Sequence, residues 1–212
     1  MRVDSDGFPS LPRGRHHLTR AQVSASQRDR LLQGITQAVA ENGYARTSVA
    51  DVLKRAHVSR ETFYEHFADK QACFLAAYQA TADRIATVVR DALKPTGEPV
   101  MRRLEHAVCD YLRELSADAS SARMFLLEIY AAGPAAAVLR HTVHRGFIEL
   151  VDAALMEDER FRRLPDHEFA STMLVGGVAS LVTGAVAMGQ HATLPKLCTP
   201  ILSYLASLLD PG

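Results

Sequence analysis

The sequence predicts an all-α protein of about nine helices, with a small three-helix domain followed by a larger helical domain. Apolar residues recur at helical spacing from residue 26 to residue 209. No segment alternates apolar and polar residues as a half-buried strand would. Helix-capping residues flank a tight turn within 47–70. We therefore expect a basic arm over 1–24, a three-helix domain over 25–72 and a larger domain over 73–212.

Composition is typical of a globular protein, with 212 residues, 48% of them hydrophobic and 23% charged. The formal net charge is zero, but it is unevenly distributed. Residues 1–70 hold 11 Lys and Arg against 8 Asp and Glu, whereas 71–212 hold 13 against 16. Because the positive excess is small, affinity for a polyanion would depend on a few well-placed groups.

The three cysteines, Cys73, Cys109 and Cys198, are far apart and form no Cys-x-x-Cys pair. The sequence therefore predicts neither a disulfide nor structural zinc, which favours a reducing cytoplasm, and no signal peptide is visible. Residues 169–195 lack Lys, Arg, Asp and Glu, but serine, threonine and glycine dilute the apolar run. We interpret it as a helix buried in a protein assembly and expect no membrane association.

The first helix is predicted from Ser26 to Asn42, ended by Asn42-Gly43. Ser48 and Asp51 then form a capping box for a short helix, whose apolar face includes Val52. His57-Val58 makes a turn, and Ser59 caps a second short helix. This is the pattern of a helix-turn-helix, in which one helix braces and the next enters the DNA major groove.

These residues closely resemble the DNA-binding domain of the TetR family of bacterial transcriptional regulators. The resemblance covers about residues 28–80 and rests on an ordered set of short motifs. They are Ala56-His57-Val58-Ser59, Thr62-Phe63-Tyr64-Glu65-His66-Phe67 and Asp69-Lys70-Gln71-Ala72-Cys73-Phe74. The resemblance implies a cytoplasmic regulator that binds DNA as a homodimer and carries a divergent ligand-binding domain.

Arg60 and Thr62 are the expected readers of base edges, since arginine can bond guanine twice and threonine can contact either edge. Glu61 could accept a bond from a cytosine amino group, or it could pair with Arg60 or a nearby basic side chain. Phosphate contacts are expected from the remaining polar positions and from the arm, which could enter the minor groove. Those residues are Thr47, Ser48, Ser59, Tyr64, His66, Lys70, Arg13 and Arg15.

The fourth helix is long and is predicted over 69–93. Asp69 is its N-terminal cap, and the helix ends before Pro95. Proline, glycine and polar stretches divide the remaining apolar-periodic sequence into further helices. Their expected ranges are 99–116, 120–132, 134–156, 167–189 and 193–209, with a polar link over 157–165.

Apolar residues at helical spacing in the larger domain predict a pocket for a small apolar or aromatic effector, with one acidic group as a possible polar contact. Each position could equally be plain core. The candidates are Leu104, Val108, Tyr111, Phe125, Glu128, Phe147, Met173 and Leu174.

Gly176, Ser180 and Gly184 recur every four residues and would form a seam, a strip of one helix face without bulky side chains. Another helix can approach such a strip closely. The last helix is rich in apolar residues. Two such helices from each subunit would form a four-helix homodimer interface. Its expected members on the last helix are Leu197, Ile201, Tyr204, Leu205 and Leu208.

The sequence thus predicts a ligand-responsive repressor that releases a palindromic operator when its effector binds. An activator using the same DNA contacts and a helix-turn-helix protein-interaction module are the alternatives. No catalytic motif or phosphate loop is present, so we expect neither an enzyme nor a cofactor. His141 and His144 have a spacing that metal ligands could use, but no partner residue is apparent, and we expect no metal.

Overall fold

A computed structural model describes residues 19–95 and 97–209, and this part of the chain contains ten α-helices and no strand. The prediction of an all-α fold is confirmed, with ten helices instead of about nine. Two 3₁₀ segments, Glu128–Ala131 and His191–Leu197, precede α7 and α10. The helices are α1 (Arg20–Asn42), α2 (Val49–Ala56), α3 (Arg60–His66), α4 (Lys70–Leu93), α5 (Val100–Ala117), α6 (Ala119–Leu126), α7 (Pro134–Leu155), α8 (Glu159–Arg162), α9 (His167–Ala187) and α10 (Cys198–Leu209).

The contacts divide the chain into two compact units, one ending at Ala77 and the other beginning at Tyr78. The boundary lies within α4, five residues beyond the boundary at residue 72 that the sequence predicts. The predicted polar link over 157–165 contains the short helix α8.

Helix α1 begins earlier than predicted. Thr19 and Gln22 form a capping box, in which the Gln22 amide donates to the Thr19 hydroxyl over 3.2 Å and the Gln22 side chain accepts from the Thr19 amide over 2.8 Å. Residues 20–24, which the sequence predicts to belong to a flexible arm, are therefore helical. At the other end α1 stops as predicted, where Gly43 takes a φ of 78° that other residues rarely adopt.

The first unit packs α1 closely against α2. Leu31, Ile35 and Val39 of α1 are fully buried, as are Val52 and Ala56 of α2. Gly34 makes this approach possible. A Cβ atom on Gly34 would lie 3.0 Å from the Val52 carbonyl oxygen and 3.2 Å from the Ala56 Cβ atom.

Gly34→Val is therefore expected to lower the free energy of unfolding of this unit by about 2–3 kcal/mol, because the added atoms meet backbone that cannot move aside. Urea denaturation followed by circular dichroism measures the loss. Gly146→Val is the control, since no atom lies within 4 Å of a Cβ built on Gly146 in α7. Equal stability of the two variants would contradict the close approach.

The second unit is a helical bundle with a core drawn from α5, α6, α7 and α9. Leu112, Met124 and Leu155 are among its fully buried side chains. Arg103 is also buried, at 2% exposure. Its guanidinium donates to the Leu93 carbonyl oxygen over 2.7 Å and forms an ion pair with Glu157, which joins the end of α4 to the loop after α7.

Candidate nucleic-acid interface and effector cavity

The bracing helix of the helix-turn-helix starts at the predicted capping box. The Asp51 amide donates to the Ser48 hydroxyl over 3.3 Å, and the Ser48 amide donates to the Asp51 carboxylate over 2.9 Å. Hydrogen bonds from the Ser48 hydroxyl and amide hold the pKa of Asp51 below its usual value. The helix ends at His57, whose φ of 52° places it in the left-handed region and turns the chain toward α3.

Helix α3 presents its polar residues outward, as a recognition helix requires. Ser59 caps it by accepting a bond from the Thr62 amide over 3.1 Å. Arg60, Glu61 and Tyr64 are exposed, and Thr62 and His66 are half-buried. Phe63 and Phe67 are buried, and their rings lie 5.9 Å apart. The split between an apolar inner face and a polar outer face leaves the side chains predicted to read base edges free to reach a duplex.

Two residues predicted to contact phosphate face into the protein instead. Thr47 is 3% exposed, and its hydroxyl bonds to the carbonyl oxygens of Ala38 and Gly43, at 3.1 and 2.8 Å. The Lys70 ammonium group donates to the carbonyl oxygens of Tyr44 and Thr47, at 2.8 and 2.9 Å. The start of the bracing helix predicts Thr47 near DNA, and the family resemblance predicts Lys70 there. Both side chains instead bond to carbonyl groups of α1 or of the loop after it, and they hold that loop in place.

The remaining predicted contacts fall into two groups. Ser48 and Ser59 are exposed at the N-terminal ends of α2 and α3, so their hydroxyls can meet phosphate. Arg13 and Arg15 of the predicted arm lie outside the described residues, so their contact with DNA stays a prediction.

The second unit contains an apolar cavity of about 90 Å³. A cavity that holds a single water molecule has a volume of roughly 10–15 Å³ on the same scale. This cavity can therefore hold a chain of several carbon atoms. Five predicted pocket residues line it: Leu104, Val108, Tyr111, Phe147 and Leu174. Sequence reasoning missed further small and branched residues of the wall on α4, α5, α7 and α9: Val89, Ala107, Val151, Val175, Val178 and Ala179.

A second cavity of about 50 Å³ shares Tyr111 and Ala179 with the first. Its wall includes the predicted residue Phe125, whose ring stacks on Tyr78 with 4.8 Å between centroids. It also includes Arg140 and His144, which sequence reasoning did not place in a pocket. They lie four residues apart on α7, and His144 is three residues before Phe147, so extending the helical stripe of α7 would have found them.

Two predicted pocket residues lie elsewhere. Met173 is 60% exposed, because it lies on the outer side of α9 while its neighbour Leu174 faces the cavity. Glu128 forms an ion pair with Arg123, with 3.1 Å between the charged atoms. Neither residue is among those that line the two cavities described above.

The predicted interface residues differ in their exposure. Gly176, Ser180 and Gly184 lie along α9, and no atom comes within 4 Å of a Cβ built on either glycine. Tyr204 and Leu208 of α10 are exposed, at 62% and 44%. The other predicted members near the end of the chain differ: Ile201 and Leu205 of α10 are buried and line the larger cavity, and Leu197, which ends the preceding 3₁₀ segment, is half-buried.

The apolar surface of α9 and α10 is the set of apolar and small residues that these two helices leave exposed. Besides the seam and Tyr204 and Leu208, it contains Phe169, Met173, Leu181 and Met188. Two helical stretches, His167–Ala187 and His191–Leu209, are long and apolar enough to cross a membrane by length and composition alone. A helix packed in an assembly of soluble subunits has the same composition, so this observation alone does not separate the two environments.

Cys109 and Cys198 are joined by a disulfide, with 5.4 Å between their Cα atoms. The sequence prediction that no disulfide forms is therefore wrong. The two cysteines are 89 residues apart in sequence, and only the packing of α5 beside α10 brings them together. Cys73 is free and buried, and burial raises the pKa of its thiol to about 12, which makes it unreactive.

The family profile for "Bacterial regulatory proteins, tetR family" matches residues 31–77. The chain is 28% identical over 108 residues to the HTH-type transcriptional activator FasR of Mycolicibacterium smegmatis, a match covering 51% of this chain and 49% of that protein. The chain thus spans about half the length of this relative.

Solved structures extend the likeness to most of the chain. The fatty acid degradation regulator FadR from Bacillus halodurans superposes with a TM-score of 0.75 at 26% identity, covering 86% of this chain and 97% of that one. The transcriptional regulator FadR from Bacillus subtilis, solved in complex with stearoyl-CoA, gives a TM-score of 0.74 over the same shares of both chains. At 18% identity, that second likeness concerns the fold alone.

Proposed function

We propose that this chain, a DNA-binding transcriptional regulator of the TetR family, acts as a homodimer whose hold on a palindromic operator changes when a small apolar ligand enters its cavity. The observation that carries the proposal is the presence, in one chain, of an exposed recognition helix and an apolar cavity. This role is regulatory and not catalytic, and it is performed in the cytoplasm, where the DNA is.

DNA recognition depends on a small set of exposed side chains at the start of α3. Arg60 can donate two bonds to guanine, and Thr62 can contact a thymine methyl group or a base-edge acceptor. Glu61 limits binding to sites where a cytosine amino group can donate to it, because elsewhere its charge repels phosphate. Tyr64 and His66 supply contacts to the sugar-phosphate backbone, which position the helix without reading sequence.

A second copy of the same chain is the occupant proposed for the apolar surface of α9 and α10. Exposed apolar patches of this kind mark interaction sites in soluble proteins. The seam formed by Gly176, Ser180 and Gly184 lets the α9 helices of two subunits approach closely around a twofold axis. Such a dimer carries two recognition helices, which matches a palindromic DNA site.

A long-chain acyl compound is the effector class proposed for the cavity. Its wall is apolar apart from the Tyr111 hydroxyl, which suits a hydrocarbon chain better than a sugar or a nucleotide. Two of the similar proteins are a fatty acid degradation regulator and a regulator solved with stearoyl-CoA. These likenesses support the acyl class and leave the chain length open.

The proposed mechanism is a shift between two dimer populations. Two recognition helices must lie about one DNA turn apart, roughly 34–36 Å, to occupy both half-sites together. A ligand that binds more tightly to a dimer with another spacing lowers DNA affinity by the ratio of its affinities for the two states. An activator uses the same contacts with the opposite preference, and the relative from Mycolicibacterium smegmatis is named as an activator.

The proposal predicts that dodecanoyl-CoA changes operator affinity at least about tenfold, within the usual range of allosteric coupling. Genomic fragments retained by the purified protein are sequenced first, and fluorescence anisotropy then measures binding to the recovered site with and without the ligand. A loss of affinity shows that the ligand favours release from DNA, and a gain shows that it favours the DNA-bound state. If no fragment is enriched over scrambled DNA, the chain does not regulate through DNA, and the helix-turn-helix is better explained as a protein-interaction module.

A further inference from the structure

The smaller cavity differs from the larger one in its chemistry. Tyr78, Arg140 and His144 line the smaller cavity, and Tyr111 and Ala179 belong to both. The larger cavity is walled by apolar groups, whereas the smaller one offers a guanidinium, an imidazole and phenol groups. The two cavities therefore share part of their walls, and the charged and polar groups belong to the smaller one.

The positive charge of Arg140 has no carboxylate partner among the described residues. Its guanidinium lies 4.5 Å from the centre of the Tyr130 ring, and the structure shows no ion pair or hydrogen bond to it. By contrast, Arg145, one turn further along α7, is paired with Glu149 at 2.9 Å. An arginine directed at a cavity without a counter-ion favours an anionic ligand there.

The neighbouring groups reinforce this preference. Burial lowers the pKa of His144, and the positive charge of Arg140 lowers it further, which favours the neutral imidazole, a form that can donate one N–H bond. Burial raises the pKa of the Tyr78 and Tyr111 hydroxyls, so both stay protonated and act as donors. Neither hydroxyl forms a hydrogen bond within the described part of the chain. The smaller cavity is therefore rich in unused donors.

We propose that Arg140, His144 and Tyr78 form a binding site for the anionic head group of an amphipathic effector whose hydrocarbon chain occupies the larger cavity. The head group is a carboxylate or a phosphate, since both accept bonds from a guanidinium fork. This site rests on the proposed function, and it defines the effector as an anion with an apolar chain. Tyr111, shared by the two cavities, lies where the head meets the chain.

Isothermal titration calorimetry on the full chain tests the site with dodecanoate, 1-dodecanol and dodecanoyl-CoA. Arg140→Gln is expected to weaken dodecanoate binding about tenfold or more, since a hydrogen bond to a charged group is lost. The same variant should bind 1-dodecanol within about twofold of the wild type, because the apolar cavity is intact. Dodecanol binding thus also shows that the variant is folded. Arg145→Gln, which removes a paired arginine on the same helix, should bind all three probes as the wild type does.

The arms of the experiment separate the possible results. A loss confined to dodecanoyl-CoA supports the site with phosphate as its anion, and a loss for dodecanoate supports it with carboxylate. Equal losses for dodecanoate and dodecanol, or unchanged binding of every probe to Arg140→Gln, would overturn the site and leave the proposed function standing. If the wild type binds none of the three probes, the acyl effector class of the proposed function is itself wrong.

Discussion

Ser180→Arg is expected to make the protein monomeric and to lower its operator affinity by about 100-fold or more, because a dimer gains that much from binding two half-sites together. Ser180 is exposed in the single chain, between two glycines whose added Cβ atoms would meet nothing within 4 Å. The arginine therefore fits an isolated subunit. In a close pair of α9 helices it would meet the backbone of the partner, and the helices could not approach.

Sedimentation velocity at micromolar concentration measures the change of mass, and fluorescence anisotropy on the selected operator measures the loss of affinity. Ala117→Arg is the matched control, since it places the same side chain at an exposed small residue of α5. A dimer of unchanged stability in Ser180→Arg would show that the subunits meet elsewhere on the bundle.

Arg60→Ala is expected to lose about 1–3 kcal/mol on the best operator and to relax the base preference at one position of each half-site. This corresponds to about a 5- to 150-fold weaker complex. The reason is that a guanidinium reads guanine through two bonds, whereas alanine reads nothing. Affinity for scrambled DNA should fall much less, since the phosphate contacts of the helix remain.

Lys94→Ala is the control for charge, because it removes one exposed cation that is paired with Asp91 in the second unit. Lys70→Ala would be a poor control, since Lys70 holds two carbonyl groups of the loop before α2 and its loss would destabilise the domain. Equal losses on operator and scrambled DNA in Arg60→Ala would make Arg60 a phosphate contact and not a reader.

Features set by neighbouring residues were predictable from the sequence. The capping box at Ser48, the cap at Ser59 and the buried pair Phe63 and Phe67 all appear in the structure as expected. Each depends on residues three or four positions apart, and helix geometry determines where those side chains point. For the same reason, the helical periodicity of the cavity wall located five of its residues correctly.

Features set by tertiary packing were not predictable in this way. Thr47 is polar and stands at the start of a bracing helix, yet its hydroxyl bonds to carbonyl groups that only the packed loop brings near. Apolar residues lie on every side of α10, so the sequence could not show that Ile201 and Leu205 face a cavity while Tyr204 and Leu208 face outward. When a helix is apolar on every side, the face that is buried is determined by the helices that pack against it.

The bond between Cys109 and Cys198 closes a ring of chain that includes α6, α7 and α9. A protease that cuts any loop inside the ring, for instance beside Gly133, leaves two fragments that still migrate as one species on a gel without reductant. Adding a thiol separates them. The difference between the two lanes reports which fraction of a given preparation carries the bond, and alkylating the protein at the moment of lysis extends that measurement to living cells.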